Sequence, residues 1–96
     1  MVNQKYLIRW TSQYKKDIKI AKKRKYKIEE LEKVVFKLAN GLPLEEKYHD
    51  HGLEGNWANH RECHIRPDWL LIYQIKDDIL VLELARTGSH SDLFKK

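Results

Sequence analysis

Apolar and polar residues alternate along this chain with different rhythms, and each change of rhythm marks an element. Tyr6-Leu7-Ile8-Arg9-Trp10 is a short run of aromatic and branched residues, the composition of a pleated strand. Thr11 or Ser12 then offers a hydroxyl to cap a helix. From Gln13 the apolar positions are Tyr14, Ile18 and Ala21, which lie on one face of a helix. Tyr26 falls in a short break. A second helix is predicted from Ile28, where Ile28, Leu31, Val34, Val35 and Leu38 form a stripe. Glu29, Glu30 and Glu32 crowd its first turns, where the helix dipole favours anions. Asn40-Gly41 closes this helix, and Pro43 prevents its resumption.

Residues 44–54 read as polar loop. The rhythm then becomes that of strands. In Arg61–Arg66, Cys63 and Ile65 face one way while Glu62, His64 and Arg66 face the other. Asp68 to Ile75 is more apolar and reads as a central strand. Lys76-Asp77-Asp78 is turn chemistry, and Ile79 to Arg86 is the last strand. Short turns between these strands predict an antiparallel meander. The fold class is α+β: an N-terminal strand, then a two-helix hairpin packed on one face of an antiparallel sheet of about four strands, the other face partly free.

The chain's 96 residues are expected to form a single domain spanning 1–96. The charge of +5 at pH 7 comes from 19 basic against 14 acidic residues, and such a surface favours polyanions. The cations cluster on the first helix, where Lys15, Lys16, Lys19, Lys22 and Lys23 stand against Asp17 alone. They can grip nucleic-acid phosphates without sequence preference, or simply form a solvated helix face. Cys63 is the only cysteine, so an intrachain disulfide and a thiolate zinc cluster are both excluded. No window approaches the roughly 18 apolar residues of a membrane span, and no apolar leader follows Met1. The expected location is the cytoplasm, away from membranes.

Five histidines, His49, His51, His60, His64 and His90, carry the candidate chemistry. Histidine is the usual proton-transfer group near neutrality. His49 and His60 read as solvated loop residues. His49-x-His51 lacks a carboxylate or cysteine at a ligand spacing, so neither a metal nor another cofactor is expected. His64-Ile65-Arg66-Pro67-Asp68-Trp69 lies at a strand end, because Pro67 cannot donate to a ladder. Gly88 frees the chain after the last strand, so the tail can fold back with Leu93 or Phe94 as anchor. Three segments, around His51, His64 and Arg86 to His90, are therefore expected to meet. Histidines, Asp68 and Arg86 or Arg66 would supply an acid, a base and a cation for reaction at phosphate. Taken singly, Asp68 could cap a turn, Trp69 could be core, and Arg86 could be an ion-pair partner.

The motifs Gln13-Tyr14-x-Lys16-Asp17, Leu42-Pro43-Leu44, Tyr48-x-Asp50-His51-x-Leu53-x-Gly55-x-Trp57, Arg61-x-x-His64-x-x-Pro67-Asp68-Trp69-x-Leu71-Ile72-Tyr73 and Arg86-Thr87-Gly88-x-His90-x-x-Leu93-Phe94 occur in order over nearly the whole chain. In these the chain resembles the YafQ branch of the RelE/ParE superfamily of bacterial toxin–antitoxin toxins. The resemblance implies a RelE-like fold and a ribosome-dependent mRNA endonuclease acting on A-site codons. It implies metal-independent attack of a 2′-hydroxyl on the adjacent phosphate, leaving a 2′,3′-cyclic phosphate and a 5′-hydroxyl. The family's active-site set falls on His51, His64, Asp68, Trp69, Arg86, His90 and Phe94. Gly52 stands where a proline is expected, which touches loop stiffness.

On this reading His51 is the base and His90 the acid, labels that could be exchanged. His64 and Asp68 orient or share protons, and Arg86 neutralises phosphate charge. Trp69 and Phe94, with Arg66, bind the substrate. Lys15, Lys16, Lys19, Lys22 and Lys23 hold ribosomal RNA. The implied partners are the ribosome, mRNA and a cognate DinJ- or RelB-like antitoxin with a ribbon-helix-helix half, through which alone operator DNA is reached. Two other classes stay open: a ParE-like inhibitor of DNA gyrase, against which the retained polar set argues, and a non-catalytic nucleic-acid-binding regulator using the basic helix.

Overall fold

Apolar faces on two helices and alternating strands leave one way to bury them, helices on a sheet, and the chain takes it. The computed structural model describes residues 4–94. Its elements are β1 (Leu7–Trp10), α1 (Ser12–Lys23), α2 (Ile28–Ala39), β2 (His51–Gly52), β3 (Arg61–Arg66), β4 (Trp69–Lys76), β5 (Val81–Gly88) and α3 (His90–Leu93). Single 3-10 turns occupy Glu46–Tyr48 and Gly55–Trp57.

Local chemistry sets the helix ends. The Thr11 hydroxyl accepts the Tyr14 N–H at 3.0 Å and starts α1. Beyond α2 the chain turns left-handed at Gly41, φ 70°. There the Gly41 and Leu42 N–H groups donate to the carbonyls of Leu38 and Lys37 at 3.1 and 2.9 Å. That is a Schellman ending, and it satisfies carbonyls the helix leaves open. α1 ends the same way without a glycine. Lys25 sits at φ 61°, and the Lys25 and Tyr26 N–H groups reach the Lys22 and Ala21 carbonyls, both at 3.0 Å.

The sheet order is β1-β5-β4-β3-β2. β2 to β5 pair antiparallel, whereas β1 runs parallel to β5 with Leu7 opposite Val81. The expected antiparallel sheet of about four strands is β2 to β5, and the N-terminal strand joins its edge in parallel to make a mixed sheet of five. Side-chain alternation carries no information on strand direction, and β2 is two residues long, held by its ladder to Arg61 and Glu62. The last strand begins at Val81, because Ile79 and Leu80 are exposed and Leu80 adopts φ 52° in the turn.

The larger core lies under the helices, where Tyr14, Leu31, Val34 and Leu38 meet Cys63, Leu71, Tyr73, Leu82 and Leu84. Each fully buried residue of this size contributes about 1.5–3 kcal/mol of transfer free energy. The opposite face of the sheet, expected to be partly free, has a smaller core of its own. Leu70, Ile72 and Ala85 pack there against Leu93 of α3, flanked by Leu53 and Trp57. A bulge between Ile72 and Tyr73 makes room for Ala85 in the ladder.

β1 is too short to cover all of β5, and α1 takes over where it stops. The Thr11 hydroxyl donates to the Ala85 carbonyl at 2.7 Å. Buried Asp17 accepts the Thr87 N–H at 3.1 Å. The backbone of β5 is thus satisfied up to the glycine from which the tail departs.

Candidate active site

β2 and β3 set two imidazoles side by side. His51 pairs with Glu62 across the ladder, and His64 follows Glu62 by two residues on the same face. Glu62 is 5% exposed. Its Oε1 lies 3.4 Å from Nε2 of His51 and 3.4 Å from Nε2 of His64. A buried carboxylate needs such partners, so Glu62 ties the two rings to the sheet. The Nδ1 of His51 lies 2.7 Å from the His49 carbonyl. A carbonyl only accepts, so Nδ1 carries the proton and a neutral His51 ring has its lone pair on Nε2.

His90 arrives from the other side. β5 ends at Gly88 beside Leu70, which itself faces His64 across β3 and β4. α3 begins two residues later, capped by Ser89, whose hydroxyl accepts the Asp92 N–H at 3.2 Å. Asp92 closes the box on the Ser89 N–H at 2.9 Å and is clasped by Arg24, at the C-terminal cap of α1, at 2.6 and 3.2 Å. The Arg24 guanidinium, followed by the Ser89 donors, holds the Asp92 carboxyl well below the usual carboxylate range. Asp68, in the β3–β4 turn, accepts both the backbone N–H of His90 at 3.0 Å and its ring Nδ1 at 2.7 Å. The backbone N–H first, then the ring, lowers the Asp68 carboxyl too.

The result is an arc of four imidazoles centred on His64. Its ring centroid lies 5.7 Å from His49, 6.2 Å from His51 and 5.7 Å from His90. His51, His64, Asp68 and His90 are therefore brought together. Cys63, although adjacent in sequence, is no nucleophile: burial above all pushes its thiol far up.

Other candidate residues lie elsewhere. The Arg86 guanidinium is not in the arc; it donates to both oxygens of buried Asp17, at 3.0 Å each. It lines a separate hollow of about 170 Å³ with Gln13, Arg24 and Asp92. Arg66 is held by Glu30 of α2 through two bonds of 2.7 and 2.6 Å. Trp69 is 3% exposed, packs against Tyr26 and donates from Nε1 to the Thr87 hydroxyl at 2.9 Å. Its ring faces are thus largely taken by core, the alternative reading of Trp69. Phe94 is exposed at the end of α3, while its neighbour Leu93 is the buried anchor. Lys15, Lys16, Lys19, Lys22 and Lys23 all stand exposed on α1.

Residues 6–95 match the family described as the bacterial toxin of type II toxin-antitoxin system, YafQ. The chain belongs to the YafQ family. It is 43% identical over 88 residues to an mRNA interferase toxin YafQ of Escherichia coli K12, covering 91% of this chain and 94% of the relative. It superposes on the toxin of the E. coli DinJ-YafQ toxin-antitoxin complex with a TM-score of 0.86 and 41% identity, over 94% of this chain and 98% of that one. A metal-bound toxin from Helicobacter pylori gives a TM-score of 0.88 and 46% identity, over 93% and 99%. Among the described residues of this chain, no group of three or more His, Cys, Asp or Glu is placed to hold a metal ion.

Two residues of this YafQ-family site escape a reading of the sequence. Glu62 had a signal, since strand alternation puts it on the face of His64. His49 had none, because its ring reaches the arc only through a left-handed backbone, φ 46°, after the Glu46–Tyr48 turn. Such a conformation is uncommon for a residue with a Cβ and collects at functional sites.

Proposed function

We propose that this toxin is a ribosome-dependent mRNA endonuclease, a single 1–96 unit that cleaves A-site codons without a metal. The observation that carries the reading is the unequal treatment of two imidazoles across one arc. His51 is oriented through Nδ1 by a carbonyl, so Nε2, 3.4 Å from the Glu62 carboxylate, is the nitrogen that takes up a proton, which suits a base. His90 is oriented by the Asp68 carboxylate, which supplies the counter-charge for a protonated ring and suits an acid.

In the proposed reaction Nε2 of His51 removes the 2′-hydroxyl proton. The 2′-oxygen attacks the adjacent phosphorus and the bond from phosphorus to the 5′-oxygen breaks. His90 gives that leaving oxygen its proton. The products are a 2′,3′-cyclic phosphate and a 5′-hydroxyl. His64, between the two, faces the phosphate, and Glu62 fixes His51 and His64 relative to each other. Phe94, whose backbone N–H donates to the His90 carbonyl at 2.8 Å, offers an exposed ring for stacking on a base. Arg86 holds β5 and the root of the tail through Asp17, and Trp69 holds Thr87, so both act by position. The α1 lysines meet ribosomal RNA phosphates. The name of the E. coli relative, an mRNA interferase, supports the substrate. The DinJ-YafQ complex supports a DinJ-like antitoxin, the ribbon-helix-helix partner through which operator DNA would be reached.

The test is purified protein added to ribosomes programmed with a defined message, with the cut ends mapped. Wild type should leave 5′-hydroxyl ends within the A-site codon, and His51→Ala or His90→Ala should slow cleavage by about 10²–10⁴-fold. Equal cleavage by the variants would remove the two role assignments. A wild type that cuts nothing and instead blocks replication would put the chain among gyrase inhibitors.

A further inference from the structure

The imidazole arc does not end at His49. A cavity of about 750 Å³ opens beside it, and His64 and His49 form part of its wall. Its other polar lining is Tyr48, Lys47, Lys33 and the Arg66–Glu30 pair. Arg66 and Glu30 neutralise each other and fix that wall. Lys33 and Lys47 are exposed, and among the described residues neither has a salt-bridge partner. Lys47 Nζ lies 5.2 Å from the centroid of the Tyr48 ring. Pro67 and Ile65 supply an apolar floor. Two ammonium groups without a salt bridge, an aromatic ring and an apolar floor next to a proposed proton-transfer site are what one nucleotide of a single strand needs.

We infer that this cavity is a second nucleotide subsite, which takes the single-stranded RNA residue flanking the scissile phosphate. Its phosphate lies between Lys33 and Lys47, and its base packs on Tyr48 against Pro67. The assignment rests on the proposed RNA cleavage. It adds a binding surface on α2 and the Glu46–Tyr48 turn, apart from the α1 lysines. His49, turned in by its left-handed backbone, stands where the strand passes from this subsite to the reacting phosphate.

The experiment has two arms. In the first, the ¹⁵N-labelled protein is titrated with an RNA tetranucleotide methylated at every 2′-oxygen, which cannot be cleaved. Saturable shifts are expected at Tyr48, His49 and Arg66. Lys33→Ala/Lys47→Ala should weaken binding about tenfold and flatten its salt dependence, since phosphate contacts release counterions. Lys76→Ala, at the far turn of the sheet, should bind as wild type. In the second arm, cleavage of ribosome-bound message should show a raised KM with kcat little changed in the double variant. Shifts confined to other residues, or an unchanged KM and titration in the double variant, overturn the subsite while leaving cleavage intact. Shifts with polyglutamate but not with RNA overturn it in favour of an acidic peptide. A wild type that binds the tetranucleotide here yet cleaves nothing sinks the proposed function and keeps the subsite.

Discussion

Asp17→Ala removes one carboxylate with four bonds. Asp17 is 4% exposed and accepts from Arg86 Nε and Nη2 at 3.0 Å, from the Thr87 N–H at 3.1 Å and from Gln13 at 3.2 Å. Removing one partner of a buried ion pair costs about 3–5 kcal/mol, because the other charge is left without compensation. The Arg86 side chain is 23% exposed and can regain some water, which pulls the cost toward the lower end. The Thr87 N–H is buried and has no such escape, adding roughly 1–3 kcal/mol. A total of about 4 kcal/mol is expected, a large share of the roughly 5–15 kcal/mol that holds a typical domain. Urea unfolding should show it as a lower midpoint at unchanged slope. The melting temperature should fall by at least roughly 16 °C, at about 4–8 °C per kcal/mol for a domain of this size. In a cycle with Arg86→Met, the two substitutions should be strongly non-additive. A loss below about 1 kcal/mol, or simple additivity, would refute the view that this pair anchors β5. Cleavage per folded molecule separates the roles of Arg86. A positioning residue loses rate in both single variants, whereas a cation that reaches phosphate directly loses it only when Arg86 itself is changed.

The tail should be acid-labile. Asp68 and Asp92 both have carboxyl groups held below the ordinary value, so the stability they lend is complete above about pH 4 and disappears as the pH falls through the lowered values. Amide protection in α3, relative to the intrinsic exchange rate at each pH, should therefore fall below about pH 4 before the sheet unfolds; a tail that stays protected to global unfolding contradicts this. Gly88→Ala should also loosen the tail, because a Cβ there would stand 3.0 Å from Asp92 Oδ2 and 3.1 Å from its Cβ. The expected signs are loss of the Arg24–Asp92 pair by NMR and slower message cleavage, with little change in the melting of the sheet. Lys25→Gly should stabilise by about 0.5–1 kcal/mol, since the left-handed penalty of roughly 1–2 kcal/mol outweighs the extra unfolded-state entropy of glycine. A lower urea midpoint for that variant would contradict it.

What the sequence disclosed followed from how local each signal is. The helices announced themselves because Thr11 and Asn40-Gly41 act within one turn of where they stand. The convergence of His51, His64 and His90 was legible from turn chemistry at Pro67 and Gly88, which sends both segments to one end of the sheet. The direction of β1 and the existence of β2 were not legible, since both rest on backbone pairing with residues far along the chain.

Arg86 and Asp17 show how a physical clue can be present yet misweighed. Asp17 looks like one stray acid in a run of lysines. Its position between Tyr14 and Ala21, however, puts it on the buried stripe of α1, where all three side chains are indeed buried. A lone carboxylate on an apolar face must find a cation, and the nearest lysines on its own helix point to solvent. The partner had to come from the sheet, and the strand that α1 covers carries Arg86 two residues before its end. Arg86 is therefore held by the scaffold in this structure, and on the proposed reading the charge of a bound phosphate is met elsewhere. Among the described residues, the cations beside the imidazole arc without a salt-bridge partner are Lys33 and Lys47, on α2 and the Glu46–Tyr48 turn, outside the basic stretch of α1.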